Sequence, residues 1–511
     1  MFRGAFPSVP YRLTRLRLVR KSQSTIGSSD LFLHAAVNFT LYRGSVTTTQ
    51  RKGADSRISW VGGAPHPRGR RPGHVPRRVF GDLFLALAGL GMGITLALVI
   101  IGESAGSLHA PGGALIASGR LAGFVGAYLL LLMLALVARL PWLERSVGQD
   151  RLIQWHRRIA PWALVLIGLH IVLITLGYAQ LAKSGFLRQF WQFLTSYPDM
   201  LAAAVAFGLL LTGGVTSIRM ARRRLKYETW WVVHLYLYLA LALAFAHQIV
   251  TGVSFIGHPL TRAVWIAVWV AAAGMVLVYR VLLPVTRSLR HQLKVVSVTQ
   301  EAPGVVSVIC SGRQISWLAV SGGQFFQWRF LTRELWWHSH PYSLSALPRA
   351  PFVRVTVKGL GDQSRALAHL KPGTRVFIEG PYGALTRHAR RSDRVVLIGA
   401  GVGVTPLRAL LEDLPTNVDV VLVVRATTPE EIVHREEFIE LARKHKGQYH
   451  EVLGKRSKVR MSASTLSRLI PDIARRDVYV CGPDGFNELV ISSVSKLGVP
   501  SSSIHEERFS F

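Results

Sequence analysis

The sequence predicts a multi-domain membrane protein in which a six-helix transmembrane bundle is followed by an antiparallel β-barrel and a parallel α/β domain. Six apolar runs lie in the first part of the 511-residue chain, each close to the about 20 residues needed to cross a bilayer. Short strands of alternating polarity, separated by Gly and Pro, follow these runs and are typical of a small barrel. The last part alternates apolar strands with helical stretches, which favours a parallel sheet.

The flanks of the apolar runs predict the orientation of the bundle. The predicted spans are residues 81–102, 119–140, 155–178, 199–218, 230–250 and 262–283. Basic residues concentrate before the first span, between the second and third, between the fourth and fifth, and after the sixth; among them are Arg78, Arg139, Arg157, Arg222 and Arg287. Because positive residues stay on the cytosolic side, we expect a multi-pass protein of the cell membrane with both termini in the cytosol.

The same clustering accounts for the large positive charge of the chain. Lys and Arg number 61 against 28 Asp and Glu, a formal net charge of +33. On a soluble protein this excess would indicate nucleic acid binding. Here the basic residues lie beside apolar spans, so we expect the lipid bilayer as a partner and no nucleic acid.

Changes in composition predict four regions. Residues 1–78 form a basic tail that we expect to be disordered and to which the sequence assigns no function. Residues 79–288 form the six-span domain, residues 289–390 the barrel, and residues 391–511 the α/β domain. The cysteines are Cys310 and Cys481 alone, which excludes a four-cysteine iron–sulfur cluster.

Four histidines in two spans are the main chemical feature of the membrane region. The third span carries His156 and His170, and the fifth carries His234 and His247. At about 1.5 Å rise per residue, the two histidines of one helix lie about 20 Å apart along its axis. Side by side, the helices would present an inner pair, His156 with His234, and an outer pair, His170 with His247. Facing imidazoles are the ligand set of bis-histidine haem.

A single histidine in a membrane helix is more often a polar residue bonded to a neighbouring helix. Four in matched pairs make that interpretation much weaker. The neighbouring Arg157 and Arg158 are open to two interpretations, as partners of haem propionates or as snorkelling residues at the membrane surface.

A glycine-rich turn in the last domain predicts a nucleotide site. The stretch VVLIGAGVGVTPLRALL is a buried strand, a turn with Gly399, Gly401 and Gly403, and a helix that begins near Thr405 and Pro406. Such a turn lets a pyrophosphate approach the backbone and the helix N-terminus. After the next strand comes Arg425, which either meets a 2′-phosphate or is a solvated residue at a strand end; the first alternative favours NADPH over NADH.

Three short motifs in the barrel region are candidates for flavin contacts. SHPYSLS at 339–345 offers Tyr342 as an aromatic surface and Ser343 as a hydroxyl. VKGLGDQS at 357–364 places Gly361 and Ser364 at a helix start that suits a diphosphate. EGPYG at 379–383 is a turn at the end of the barrel. Each motif alone is more often just a turn, so the prediction depends on their order and spacing.

Together these motifs resemble the ferric reductase/NADPH oxidase superfamily over residues 81–511, with HPYS, GPYG, GAGVGVTP and VCGP as the matching motifs. The resemblance implies two b-type haems on the four histidines, together with FAD and NADPH or NADH. It implies two sets of cofactor-binding residues, for FAD His340, Pro341, Tyr342, Ser343, Gly361, Ser364, Gly380, Pro381 and Gly383, and for the nucleotide Gly399, Gly401, Gly403, Thr405, Pro406, Arg425, Gly482 and Pro483.

The resemblance also implies catalytic residues near the C-terminus. An aromatic residue that stacks on the flavin and is displaced by nicotinamide falls on Phe509, with Phe511 as second choice. Cys481 and Glu507 are expected beside the nicotinamide. A C-terminal strand that merely closes a core is the alternative for these aromatic residues.

The function expected from the resemblance is transmembrane electron transfer. Electrons pass from cytosolic NAD(P)H through FAD and two haems to a small acceptor on the outer side, a ferric chelate or O2. Alternatives are a haem-containing conduit serving a partner protein and a superoxide-producing NADPH oxidase. Animal oxidases have a further histidine one turn after the outer ligand, where this chain has Ile174; this leaves the acceptor open, as it does the oligomeric state.

Overall fold

The computed structural model describes residues 60–61, 77–101, 103–225, 227–252, 255–256 and 258–508. Within these ranges six helical segments are long and apolar enough to span a membrane: Val79–Ile101, Gly113–Val137, Arg151–Leu181, Met200–Ser217, Glu228–Val250 and Pro259–His291. The six predicted spans are confirmed, with ends that differ from the predicted ones by several residues.

The helices of the membrane domain, in chain order, are α1 (Arg77–Ile101), α2 (Ala105–His109), α3 (Gly113–Val137), α4 (Pro141–Val147), α5 (Gln149–Leu181), α6 (Phe186–Ser196), α7 (Met200–Ser217), α8 (Arg219–Arg224), α9 (Tyr227–Thr251), α10 (Pro259–Val276) and α11 (Leu283–His291). Many of their large apolar side chains are exposed, for example Leu90, Trp162 and Leu201. Exposed apolar side chains on helices of this length suit contact with lipid.

The third and fifth spans, α5 and α9, have different packing partners. The helix α5 packs closely on α3, and α9 packs on α7. Small residues allow the first of these contacts: a Cβ on Gly123 of α3 would lie 2.6 Å from Nδ1 of His170. Between their described residues, α5 and α9 themselves have little backbone contact.

The sixth span runs past its predicted end at residue 283. After α10 the chain makes a π-helical turn, Leu277–Leu282, and continues as α11. Pro284 does not end the helix because it lies in the first turn of α11, where a missing N–H is tolerated. The helix thereby reaches the barrel: Ser288 Oγ donates to the carbonyl of Ile378 at 3.2 Å and accepts from its N–H at 3.1 Å.

The barrel consists of two three-stranded antiparallel sheets around one apolar core. Its strands are β1 (Lys294–Ala302), β2 (Val305–Ser311), β3 (Phe325–Phe330), β4 (His340–Ser343), β5 (Phe352–Lys358) and β6 (Val376–Tyr382), with the short helix α12 (Asp362–Ala366). The sheet orders are β1-β2-β5 and β4-β3-β6. The strands β3 and β4 were not predicted, because β3 is almost uniformly buried and lacks alternation and β4 has four residues, one of them proline.

The last domain is the predicted parallel α/β fold. Its elements are β7 (Arg394–Ala400), α13 (Val404–Asp413), β8 (Asp419–Ala426), α14 (Arg435–Lys444), β9 (Gln448–Leu453), α15 (Ala463–Leu469), β10 (Asp477–Gly482), α16 (Asp484–Lys496) and β11 (Ile504–Arg508). All strands are parallel in the order β11-β10-β7-β8-β9. The strand order reverses between β7 and β10, and ligands of such sheets bind at the carboxyl ends of the strands at this point.

Candidate functional site

The glycine-rich turn lies at this reversal point, at the carboxyl end of β7. A Cβ on Gly403 would lie 2.5 Å from the carbonyl oxygen of Cys481 and 2.7 Å from Cα of Gly482. Glycine is therefore required for the turn to rest against the end of β10. The hydroxyl of Thr405 donates to the carbonyl of Val402 at 2.9 Å and holds the turn. Pro406 follows in the first turn of α13 and is buried. The N-terminus of α13 thus faces the crevice with its free N–H groups.

Three further predicted residues meet at the same end of the sheet. In register, Cys481 pairs with Gly399 of β7 and with Glu507 of β11. The glutamate also approaches the barrel, since its Oε1 lies 3.0 Å from the position of a Cβ on Gly383. Asn487 donates to the carbonyl of Glu507 at 3.0 Å and orients this strand end. The crevice is consequently shared by the barrel and the α/β domain.

The Cys481 side chain is fully buried beside Glu507. Burial and the negative charge of Glu507 raise the pKa of the thiol well above its usual value, so the thiol is neutral at physiological pH. Pro483 precedes α16 directly, with Gly482 at the end of β10. The predicted aromatic residues Phe509 and Phe511 lie outside the described residues.

Arg425 is directed at the backbone and not at open solvent. Its guanidinium donates to the carbonyls of Val452 at 3.2 Å, Gly454 at 2.6 Å and Val459 at 3.3 Å. These carbonyls belong to the end of β9 and the loop after it. That loop carries four exposed cations that sequence reasoning did not consider, Lys455, Arg456, Lys458 and Arg460. The basic stretch KRSKVR at 455–460 is the sequence feature that could have indicated a phosphate-binding loop.

The flavin motif HPYS forms β4, at the edge of the sheet β4-β3-β6. Pro341 and Tyr342 pair with Gln327 and Phe326 of β3. Ser343 is 5% exposed, and its Oγ is buried without a hydrogen-bond partner among the described residues. Such an unsatisfied hydroxyl costs about 1–3 kcal/mol unless a ligand meets it. The strand therefore offers a hydroxyl that is ready for a cofactor.

The aromatic residues of β4 are neutral and closely stacked. The ring of His340 lies 5.8 Å from that of Tyr342, at 25° between planes. Burial and the neighbouring His338 lower the pKa of His340, and burial raises the pKa of Tyr342. The Nε2 atom of His340 is buried and has no partner in the described part of the chain. A flat, uncharged surface of this kind suits contact with a planar ring system.

The Gly361–Ser364 turn is held by its own serine. The Oγ of Ser364 accepts from the backbone N–H groups of Leu360 and Gly361, both at 2.9 Å. Within the turn, Gln363 bridges to the membrane domain, since its Nε2 donates to Oε1 of Glu228 at 3.3 Å. Gly361 is exposed. The turn thus lies near the N-terminal end of α9.

Glu379 at the start of EGPYG joins the barrel to two membrane helices. Its Oε1 accepts from Arg139 Nη1 at 3.0 Å, Arg280 Nη1 at 3.2 Å and Tyr382 Oη at 2.8 Å. The guanidinium of Arg139 also lies 4.7 Å from the centre of the Tyr382 ring. Gly380 and Pro381 follow within β6. The motif therefore contacts the ends of the second and sixth spans in addition to shaping the barrel.

The inner histidines face each other. The ring centroids of His156 and His234 are 6.3 Å apart. Nδ1 of His234 lies 3.5 Å from Ser217 Oγ, and that hydroxyl donates to the carbonyl of Gly213 at 2.6 Å. Nδ1 of His234 is therefore the donor, which leaves Nε2 with a lone pair. The Nδ1 atom of His156 is buried and unpartnered within the described residues.

In the outer pair, His170 is bonded to a backbone carbonyl of a neighbouring helix. Nδ1 of His170 lies 2.8 Å from the carbonyl oxygen of Gly119. Because a carbonyl oxygen can only accept, Nδ1 carries the proton and Nε2 holds a lone pair. A backbone carbonyl in this role is a common way of orienting a metal-binding histidine. Among the described residues no group of three or more His, Cys, Asp or Glu side chains is arranged to hold a metal ion.

Aromatic side chains form two groups of ring contacts near β4 and the start of α9. The ring of Trp337, before β4, lies 5.0 Å from that of His338 and 6.4 Å from that of Trp231 on α9. The ring of Trp230, the preceding residue of α9, stacks on His234 at 5.0 Å. These contacts were not predicted from the sequence; one group consists of Tyr342, His340, His338, Trp337 and Trp231, and the other of Trp230 and His234.

The fold and the site define a class of protein in which a helical membrane domain is joined to a two-domain reductase. Residues 122–245 match the family "Ferric reductase like transmembrane component", and residues 397–491 match "Oxidoreductase NAD-binding domain". The chain thus joins a ferric reductase-like membrane domain to an oxidoreductase NAD-binding domain, which confirms the resemblance drawn from its sequence.

Curated relatives agree with both matches. The chain is 29% identical over 183 residues to the NADPH oxidoreductase of Mycobacterium tuberculosis, covering 34% of this chain and 48% of that protein. It is 31% identical over 80 residues to NADPH oxidase 1 of Mus musculus, covering 15% and 14% of the two chains. The chain therefore spans about half the length of the mycobacterial relative. Among solved structures, flavohemoglobin from Malassezia yamatoensis is similar with a TM-score of 0.40 and 18% identity, covering 75% and 98%.

Proposed function

We propose that this protein is a transmembrane oxidoreductase that moves electrons from NAD(P)H on the cytosolic side, through FAD and two b-type haems, to an acceptor on the outer side. The observation that carries the proposal is the inner histidine pair, His156 and His234, with ring centroids 6.3 Å apart. One group of aromatic contacts leads from the strand with the flavin motif to Trp231, and the neighbouring residue in the chain, Trp230, stacks on His234.

The spacing of the inner pair suits one metal ion between the two rings. An imidazole nitrogen binds a transition metal at about 2.0 Å and lies about 1.1 Å from its ring centre, so two imidazoles on opposite sides of one metal have centroids about 6.2–6.4 Å apart. The 6.3 Å separation lies within this interval. His156 and His234 would hold the iron of a b-type haem, which would supply single-electron transfer there.

The hydrogen bonds of the histidines support the same assignment. Both His170 and His234 direct Nδ1 to an oxygen of a neighbouring helix or turn, Gly119 O and Ser217 Oγ. Their Nε2 atoms are thereby free to bind iron. Gly123 provides the space for His170, because any Cβ there would collide with the ring. These contacts would orient the ligands before a haem binds.

The buried hydroxyl of Ser343 and the stacked rings of His340 and Tyr342 support FAD at β4. The Gly361–Ser364 turn, in which Gly361 is exposed, is the candidate for contact with its diphosphate. When bound, a flavin converts two-electron supply from NAD(P)H into single electrons, and haem iron carries these one at a time. Glu507 lies at the crevice where nicotinamide would lie, and the buried, neutral thiol of Cys481 packs directly behind it.

A contact between Trp60 and the α/β domain supports a cytosolic position for both ends of the chain. Six spans return the chain to its starting side. Trp60 precedes the first span, and its carbonyl accepts from Arg408 of the α/β domain at 2.8 Å. A residue before the first span and a residue after the sixth span are therefore in contact, as expected if both lie on the same side of the membrane. The positive-inside rule makes this side the cytosol.

Packing around the outer pair favours a ferric chelate over O2 as acceptor. Where animal oxidases have a further histidine, Ile174 contacts α3, and a Cβ on Gly119 would lie 2.9 Å from its side chain. An apolar side chain here provides no hydrogen bond to a reduced oxygen species. An acceptor that takes an electron at the outer surface does not need such a pocket.

An absorption spectrum of the purified protein tests the proposal. A b-type spectrum that changes from oxidised to reduced on addition of NADPH under anaerobic conditions is expected. Reduction of an impermeant ferric chelate should then reoxidise the haem faster than O2 does. Purified protein without bound haem would contradict the proposal, and faster reoxidation by O2 with superoxide release would replace the ferric acceptor by oxygen.

Glu379→Gln is expected to slow electron transfer from the barrel to the membrane domain by about tenfold. The change weakens the charge-assisted bonds of Arg139 and Arg280 to this side chain, each worth about 1.5–3 kcal/mol. Stopped-flow haem reduction by NADPH measures this rate. NADPH reduction of a soluble dye should be unchanged, and so should both rates in Glu334→Gln, which alters an exposed carboxylate of the barrel. Equal haem reduction in the Glu379 variant and the original protein would exclude a coupling role.

Arg456→Ala combined with Lys455→Ala is expected to raise the KM for NADPH about tenfold and to leave that for NADH within a factor of two. The exposed cations lie on the loop that Arg425 holds, and Nη2 of Arg456 lies 2.9 Å from the position of a Cβ on Gly485 at the start of α16. A phosphate bound there would gain charge-assisted bonds. Arg468→Ala, a basic residue elsewhere in the domain, is the control. Equal effects on both nucleotides would contradict recognition of the 2′-phosphate.

A further inference from the structure

Trp60, in the segment before the first span, is buried against the cytosolic domains. Only 5% of its surface is exposed. Its ring lies 4.9 Å from Cζ of Arg354, and its carbonyl accepts from Nη2 of Arg408 at 2.8 Å. The next residue, Val61, packs against the apolar core beneath the α/β sheet. A segment that composition alone describes as a basic tail therefore contributes a specific contact.

The two arginines that meet Trp60 belong to different domains. Arg354 lies on β5 of the barrel, and Arg408 lies on α13 of the α/β domain. Both bind Glu437 of α14: Arg354 donates to its two oxygens at 2.7 Å each, and Nε of Arg408 lies 2.6 Å from Oε2. Burial opposes ionisation of this carboxyl, but the hydrogen bond from Arg354 and the charge of Arg408 lower its pKa to about 2.

Further polar contacts continue along the same boundary, which we call the seam. Glu412 of α13 accepts from Arg349 Nη2 at 2.7 Å and from the backbone N–H of Leu347 at 3.0 Å. His434 lies 2.9 Å, Nε2 to Oγ1, from Thr356 of β5. Barrel and α/β domain are thus joined by buried charges rather than by apolar packing alone. Buried charges of this kind must be fully paired to be tolerated.

Trp60 completes the pairing at one end of the seam. Arg408 is fully buried, so each of its N–H groups needs an acceptor, and the Trp60 carbonyl serves Nη2. Arg354 is 3% exposed; its guanidinium edge is used by Glu437 and Ser345, and its flat face is covered by the indole. An indole is the best side chain for such a cation–π contact.

We propose that Trp60 and Val61 dock onto the seam and hold the barrel and the α/β domain in one fixed arrangement. The partner of this surface is the chain's own N-terminal segment. The crevice between Gly383 and Glu507 spans the same two domains, so the contact also fixes the distance across which nucleotide and flavin would meet. This inference concerns domain arrangement and does not depend on which cofactors bind.

Hydrogen exchange of the full-length protein in detergent or nanodiscs tests the proposal. In Trp60→Ala, the amides of 345–354 and of α13 are expected to exchange about tenfold faster, since a cation–π contact and the burial behind it are lost. Trp60→Phe keeps an aromatic face and should stay within about threefold of the original. Trp317→Ala, which removes a tryptophan of the barrel that is 55% exposed, should change neither segment.

A peptide of residues 56–64, SRISWVGGA, added to Trp60→Ala should restore slow exchange in the two segments, and the same peptide with alanine at position 60 should not. Unchanged exchange in Trp60→Ala would overturn the proposal. So would uniform acceleration across the membrane helices and β10, because that describes general destabilisation. If Trp60→Ala does not accumulate, Trp60→Leu serves instead, and exchange in Trp60→Leu equal to that in Trp60→Phe would overturn the role of the aromatic face.

Discussion

Replacing His170 with leucine is expected to reduce electron delivery to an impermeant outer acceptor to the background rate. The outer pair would lose a ligand whose Nε2 is left free by the bond from Nδ1 to Gly119, and leucine offers no donor to iron. Reduction of a ferric chelate by protein in sealed vesicles, with NADPH on the cytosolic face, measures the effect. The same result is expected for His247→Leu.

Both variants should still reduce a soluble dye with NADPH, because the flavin and nucleotide sites lie in separate domains. Their haem content should fall to about half, with the inner pair His156 and His234 still occupied. His258→Leu is the matched control, since it removes an exposed histidine at the start of α10, near the same membrane face. Normal chelate reduction in His170→Leu would show that electrons do not cross through the outer pair.

Gly403→Val is expected to lower NADPH-dependent flavin reduction at least about a hundredfold. A Cβ at this position would lie 2.5 Å from the Cys481 carbonyl oxygen, and that oxygen belongs to backbone that cannot move without displacing β10. The turn would be pushed off the end of the sheet, and the N-terminus of α13 would no longer face the crevice. Stopped-flow absorbance of the flavin measures the rate.

Gly274→Ala tests whether any added methyl group has this effect. That glycine lies in α10, and a Cβ added to it would have no neighbouring atom within 4 Å, so flavin reduction should be unchanged. Flavin content and the haem spectrum of Gly403→Val should also stay normal, because the change is confined to the α/β domain. A Gly403 variant that binds NADPH and reduces flavin normally would place the nucleotide elsewhere.

The contacts of this chain connect its three domains at two boundaries. Glu379 joins the barrel to the second and sixth spans through Arg139 and Arg280. Glu437 joins the barrel to the α/β domain through Arg354 and lies beside Arg408. In each case one carboxylate binds two arginines of different elements, an arrangement that holds a fixed geometry better than a single exposed ion pair does. Electron transfer between separate domains requires a fixed distance between them.

Much of the fold could be predicted because its evidence is periodic. Apolar runs of membrane length and alternating strands and helices are local properties, and they led to the six spans and to the parallel sheet. The strands β3 and β4 were not predicted, since uniform burial and a length of four residues remove the alternation on which strand prediction depends. The continuation of the sixth span past Pro284 follows a π-helical turn, Leu277–Leu282, which no pattern in the sequence predicts.

In the candidate site, too, some features follow from the sequence and others depend on the tertiary structure. The spacing of the four histidines and the glycines around Gly403 are sequence properties, because membrane thickness and pyrophosphate geometry constrain residues that are near each other in the chain. The role of Arg425 depended on context: its side chain is directed to the carbonyls around Gly454, so the exposed loop cations are the better candidates for a phosphate.

What the amino-acid sequence determined by itself is the succession of six membrane spans, a barrel and a parallel sheet; the residues for haem, flavin and nucleotide are predictions that it makes. The tertiary structure alone decided which residues from distant parts of the chain meet: Trp60 with Arg354, Glu379 with Arg139, and Trp337 with Trp231. The physical reason is that periodicity and short motifs record only local geometry. Contacts between domains depend on how separate surfaces fit, and charge and shape at those surfaces have no fixed spacing in the sequence.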